Sequence, residues 1–179
     1  MPDEAPLEQT PAGLEPIDDG WFVVNVADSA WYRNDVFGAS CGFESARNDA
    51  ARFEEYGINI HVVWPGQPNC MYHGEAAQED FLVLSGECLL LIEGEERPLK
   101  AWDFVHFPKW TKHVIVGAGN GPCAILMVGA RSEGEELHYP RSEEAARYGA
   151  SAPADTTDPR EAYSDWEPSF ERVRQAWPL

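Results

Sequence analysis

Apolar residues recur along this chain in short β-branched and aromatic runs, not at helical spacing. Trp21–Val26 and Val36–Cys41 predict two early strands, and Ile58–Trp64 a third. Phe81–Leu84 and Cys88–Ile92 are apolar at consecutive positions, which predicts strands covered on both faces, by the core and by a second sheet or a partner subunit. Trp102–Phe107, His113–Val116 and Cys123–Val128 follow, separated by Pro and Gly turn signals. About eight to ten strands at this spacing predict an all-β sandwich or closed roll.

The flanks read differently. Met1–Asp19 holds six acidic residues, no Lys or Arg and several prolines, so it reads as an arm that cannot bury enough apolar surface to order by itself. Ser45–Tyr56 is compatible with a short helix or an ordered loop. Ser142–Tyr148 predicts one short helix, with Ser142 as its cap, Glu143 and Glu144 at its positive end and Gly149 as its stop. Ala150–Leu179 is a polar tail whose Trp166, Phe170 and Trp177 suggest that it packs on this subunit or a neighbour. The expected division is an acidic arm over 1–19, a β-barrel over 20–130 and a tail with a short helix over 131–179.

Charge narrows the partners. With 31 acidic against 13 basic residues the formal net charge is -18, which repels phosphate backbones and anionic membrane surfaces. Nucleic acid and membrane are therefore not expected partners. No apolar run approaches the roughly 20 residues that span a bilayer, and the first residues lack a secretory pattern, so a cytoplasmic protein is expected. Cys41, Cys70, Cys88 and Cys123 form no Cys-x-x-Cys pair and are expected as reduced, buried apolar residues.

Chemistry concentrates between Pro65 and His113. His73, Glu75 and Glu79 are spaced by two and four residues, so one strand through this segment would point all three the same way. The same parity turns Cys70 away from His73. His113 arrives from a later strand, as in a pocket closed by neighbouring strands. Imidazole and carboxylate together suit one divalent ion, Mn, Fe, Zn or Ni. His61 and His106 sit on apolar strands and are expected as hydrogen-bonded core histidines or as outer supports of the site, and His138 lies in the tail. Lys100, Lys109 and Lys112, all the lysines of the chain, cluster near His113 and suggest a basic rim that draws in an anionic ligand.

These residues resemble the two signature motifs of the cupin superfamily, over roughly Gly57–Gly129. Gly66 opens the first motif, His73 takes its first His position, Glu79 its Glu position, and Gly86 closes it. Asp103, Pro108 and His113 fall in register with the second. The chain departs from the pattern in three ways. Glu75 stands where the second His would be, Trp102 and Trp110 replace the second motif's two glycines, and Gly117 replaces its final Asn. The resemblance implies a jelly-roll or double-stranded β-helix barrel, a metal sphere of His73, Glu75, Glu79 and His113, and a homodimer. The extra carboxylate makes that sphere harder and tilts it toward Mn or Fe(II). The tryptophans can wall the pocket.

Two functions remain open at this level. One is a metal-dependent enzyme on a small organic substrate, anionic where the basic rim draws it in, of isomerase, lyase or dioxygenase type, with Glu75 as ligand or catalytic base. The other is a non-catalytic small-molecule-binding module with a structural metal or none.

Overall fold

The structure, a computed structural model, describes residues 3–44, 48–131, 136–166 and 169–177. In chain order the first strands are β1 (Leu7–Thr10), β2 (Gly13–Pro16), β3 (Trp31–Asn34), β4 (Gly38–Gly42), β5 (Tyr56–Val63), β6 (Gly74–Glu75) and β7 (Glu79–Ser85). Then come β8 (Glu87–Ile92), β9 (Glu95–Lys100), β10 (Phe104–Phe107), β11 (His113–Ala118), β12 (Cys123–Ala130), β13 (Leu137–His138), helices α1 (Glu143–Ala146) and α2 (Pro159–Ala162), and β14 (Glu171–Val173). The protein is mostly β, with few and short helices, as the apolar pattern predicts.

Two antiparallel sheets make the barrel. One has seven strands in the order β10-β7-β12-β5-β4-β3-β14, and the other three in the order β11-β8-β9. Val63, Phe81, Val83, Phe107, Ile125 and Met127 from the first sheet meet Cys88, Leu90 and Ile115 from the second in one buried core. Each fully buried Phe, Leu, Ile or Val in such a core contributes roughly 1.5–3 kcal/mol. The consecutive apolar residues of β8 and β11 now have their reason. Their alternate positions, Leu89, Leu91, Val114 and Val116, pack outward beneath Tyr72, Ala145 and Ala150. The second face is thus covered by the chain's own helix α1 and site loop.

Both flanks join the barrel. β1 and β2 pair as a hairpin, and the buried Glu15 of β2 is paired with Arg172 of β14. β14 adds to the seven-stranded sheet beside β3, and the Trp177 ring lies 5.8 Å from that of Trp31, which is wholly buried. Trp166 meets Phe37 edge-on at 5.8 Å, whereas Phe170 stays exposed. Helix α1 begins as expected, with Ser142 Oγ accepting from the Ala145 N–H at 3.1 Å.

Several expectations are corrected. Trp21–Val26 is not a strand. Extended propensity needs a neighbouring strand, and this run has one bridge, Trp21 to Glu4, while Val23 is 81% exposed. Asn25 then turns the chain, its side chain accepting from the Ala27 N–H at 2.9 Å. Between Ser45 and Tyr56, residues 45–47 lie outside the described residues, and Asp49–Ala51 form a single 3-10 turn capped by Asn48. β9 was not expected, because Glu-Glu-Arg-Pro-Leu-Lys has no alternation; it is a polar edge strand with Pro98 in it, where a missing N–H is tolerated.

The departures in the second motif have a backbone explanation. Trp102 and Trp110, at the two glycine positions, both have positive φ, 75° and 68°. The turns therefore keep the left-handed geometry that glycine favours. Gly117 is needed for contact: a Cβ there would stand 2.2 Å from the Trp64 carbonyl oxygen, where β11 runs against the start of the site loop. Urea unfolding tests this contrast. Trp102→Gly is expected to leave stability unchanged or raise it by about 1 kcal/mol, since a left-handed L-residue costs that much and the indole is exposed. Gly117→Ala is expected to cost about 1–3 kcal/mol or more through forced backbone displacement.

Candidate metal centre

The site is built on one backbone pairing. His73 and His113 form an isolated antiparallel bridge in which each N–H donates to the other's carbonyl, at 3.2 Å from His73 and 2.8 Å from His113. Directly opposed residues in such a pair send their side chains to the same face. The imidazole centroids accordingly lie 5.4 Å apart. Glu79 begins β7, opposite Phe107 of β10 and Gly129 of β12. The side chains of Glu79 and Glu75 both lie over Gly129, within 3.7–3.9 Å of where its Cβ would be.

His73, Glu75 and Glu79 each bring a ligand atom within 4.8 Å of the others. His113 Nε2 stands 3.3 Å from Glu79 Oε2. The four residues singled out by spacing thus line one cavity of about 340 Å³, although not by the route expected. β6 is only two residues long, and no single strand carries His73, Glu75 and Glu79. Parity therefore misplaces Cys70, which does not face away. Its Sγ lies 3.7 Å from His73 Nδ1 and it lines the cavity.

The histidine tautomers follow from their partners. His73 Nδ1 lies 2.8 Å from the Met71 carbonyl and His113 Nδ1 lies 3.0 Å from that of Thr111. A carbonyl only accepts, so each Nδ1 donates, and each neutral ring keeps a lone pair on Nε2. Burial holds both rings neutral. It lowers the His73 pKa, and burial with the neighbouring His73 lowers that of His113 to about 3. Phe107 stacks on the His113 ring at 3.9 Å and Phe81 meets it edge-on at 5.5 Å.

Glu79 is the counterpart. Burial, then the charge of Glu75, raises its carboxyl to about 8. Its Oε2 is buried and no hydrogen-bond donor reaches it among the described residues; its near neighbour, His113 Nε2, presents a lone pair.

The remaining candidates separate clearly. His61 lines the cavity from β5 and bonds the Phe37 carbonyl through Nε2 at 2.6 Å. His106 is not a core residue: it is exposed and pairs with Asp80 at 2.7 Å. His138 sits on β13 opposite Gly74. Trp102 and Trp110 are exposed and do not wall the cavity, and none of the three lysines lines it. Its cation is Arg131, bound to Glu44 at 3.1 Å. Arg131, Asn59 and Glu136 were missed. Asn59 had a signal, since Gly57, Asn59 and His61 are the alternate positions of β5 that interrupt Ile58, Ile60 and Val62. Arg131 and Glu136 had none.

Comparison with known proteins agrees with this architecture. A family model described as a cupin domain matches residues 59–129. Among solved structures, a candidate sugar phosphate isomerase of Acidithiobacillus ferrooxidans is 27% identical, over 54% of this chain and 64% of its own, with a TM-score of 0.47. A sugar phosphate isomerase from a cupin superfamily, of Silicibacter pomeroyi, is 24% identical over 58% and 67%, with a TM-score of 0.49. A polyketide cyclase of Streptomyces resistomycificus is 15% identical over 51% and 63%, with a TM-score of 0.44. The chain thus spans less than two thirds of the first of these proteins. Curated protein sequences give no match. No described helix is long and apolar enough to cross a membrane. The segment 59–129, set in the facing antiparallel sheets, thus matches a cupin domain.

Proposed function

We propose that this cupin holds one divalent metal ion through His73, Glu75, Glu79 and His113 and acts as a metal-dependent enzyme on a small organic molecule admitted to the same cavity. One observation carries the reading. Two imidazole lone pairs and two carboxylates line one partly buried pocket, and the buried Glu79 Oε2 has no donor there among the described residues. Buried anionic and lone-pair atoms facing one another repel unless a proton or a cation lies between them. Nδ1–H donation to a backbone carbonyl is also how a metal-bound histidine is oriented. The donor set of two nitrogens and two carboxylates suits Mn or Fe(II), and also Zn or Ni.

Such an ion, when bound, supplies a Lewis acid that polarises a carbonyl or hydroxyl, or a site for O2 if it is Fe(II). The protein does the rest. His113 is locked by Phe107 and Phe81, so it orients without moving. Glu75, on the short β6, shares the cavity with Asn59 and Arg131; when it is not ligating the ion, its carboxylate is the group that takes or returns a ligand proton, while their amide and guanidinium orient polar groups. Phe81 and Met127 supply apolar wall, which limits the water that reaches a bound ligand.

Elemental analysis of protein purified without added metal is expected to show close to one equivalent of Mn, Fe, Ni or Zn. His113→Ala, Glu79→Ala and Glu75→Ala are each expected to weaken metal binding by more than the roughly 10–100-fold that loss of an outer-shell partner costs. A wild-type protein that carries no metal and cannot be loaded would overturn the reading.

A pH experiment isolates Glu79 in the metal-free protein. Its folded pKa of about 8 lies above the ordinary 4.5, so the folded state holds a proton that the unfolded chain has released. Stability from this group therefore falls as pH rises between those values. His113, folded near 3 against an ordinary 6.5, acts in the opposite sense, but only below 6.5. Between pH 6.5 and about 8 the melting temperature of the metal-free wild type is expected to decline more steeply than that of Glu79→Gln. Parallel profiles would show that Glu79 ionises normally.

A further inference from the structure

The loop that carries the first histidine is held from two directions. On one side β11 grips it, through the His73–His113 bridge and through Asn69, whose N–H donates to the Ile115 carbonyl at 2.9 Å. On the other side the grip comes from residues 136–163, all beyond the matched segment 59–129. The Ala76 N–H donates to the Glu136 carbonyl at 3.0 Å, and the Tyr72 N–H to that of Ala150 at 2.7 Å. The Met71 N–H donates to the Tyr163 hydroxyl oxygen at 3.1 Å.

Met71 is the pivot of this arrangement. Its N–H is fixed by Tyr163, and its carbonyl accepts from His73 Nδ1 at 2.8 Å. The residue is 1% exposed, so water does not stand in for a lost partner. Tyr163 is itself well anchored, with its ring 5.6 Å from that of Phe37 and 6.0 Å from that of Tyr139. Tyr139 in turn lies against the His73 ring, 5.6 Å away and tilted by 31°. The orientation of the imidazole therefore depends on a hydroxyl that is 90 residues distant in sequence, through the backbone of one residue, whose Cα joins the two peptide groups involved.

We infer that Tyr163 is a positioning residue for His73: by fixing the Met71 backbone from its N–H side it holds the Met71 carbonyl, and so the imidazole, with Nδ1 protonated and Nε2 open to the cavity. The consequence for metal affinity rests on the function proposed above, but the tautomer does not. Tyr163→Phe keeps the ring and removes only the acceptor.

Nitrogen-15 NMR of the histidines in metal-free protein decides the matter. Wild type is expected to show His73 as a single Nδ1–H tautomer, and an Nε2–H form would overturn the inference without any variant. In Tyr163→Phe a mixture of tautomers is expected, with Mn(II) affinity, measured by chelator competition, roughly tenfold weaker. Tyr139→Phe, which retains the ring beside His73, is expected to keep the wild-type tautomer. A single tautomer with Mn(II) affinity within about twofold of wild type in Tyr163→Phe would overturn the inference. So would an equal change in both variants, which would mark general loosening of the loop. Should wild type take up no Mn(II) or other divalent ion, the metal reading fails, while the tautomer comparison still settles the role of Tyr163.

Discussion

The reciprocal pair of backbone hydrogen bonds between His73 and His113 is the constraint on which the site depends. Without it the site loop would still be tied to β11 near Pro65 and Asn69 and to β13 through β6, but nothing would set the two imidazoles on one face. With it, two imidazoles separated by forty positions are fixed on one face, and the carboxylate of Glu79 reaches them from the facing sheet. The close approach at Gly117 serves the same end, since it lets the loop's first residues run along β11 toward the bridge.

Electrostatics then makes the pocket unlike the rest of the molecule. A chain with a formal charge of -18 keeps most of its acidic groups in water, where they are screened. Glu79 is withdrawn from water and placed beside another carboxylate and an imidazole lone pair. Folding alone gains nothing from that placement, and the local cost is what a bound cation or ligand can recover.

Much of the barrel was legible because its strands carry their own evidence. The consecutive apolar residues of β8 and β11 showed that both faces are covered, and the motif spacings selected four residues, His73, Glu75, Glu79 and His113, that line one cavity. Legibility failed where the signal is not local. Strand parity placed Cys70 wrongly because residues 70–73 are loop, held by hydrogen bonds to distant chain. Trp21–Val26 has strand composition but no partner, and β9 has a partner but no strand composition. The two tryptophans at glycine positions concealed an unchanged backbone, since side-chain identity and φ are only loosely linked in an exposed turn. Arg131 enters the cavity from the first position after β12, which no periodicity marks.

The bonds from Glu136, Ala150 and Tyr163 to the site loop bear on how such a protein can be divided. All four candidate ligands lie within the matched span 59–129, yet part of the scaffolding that aims them lies outside it. The matched segment and the structural support of its side chains therefore have different boundaries. A graft or domain fusion that transplanted residues 59–129 would carry the chemical groups into a new host and leave behind part of what makes them converge.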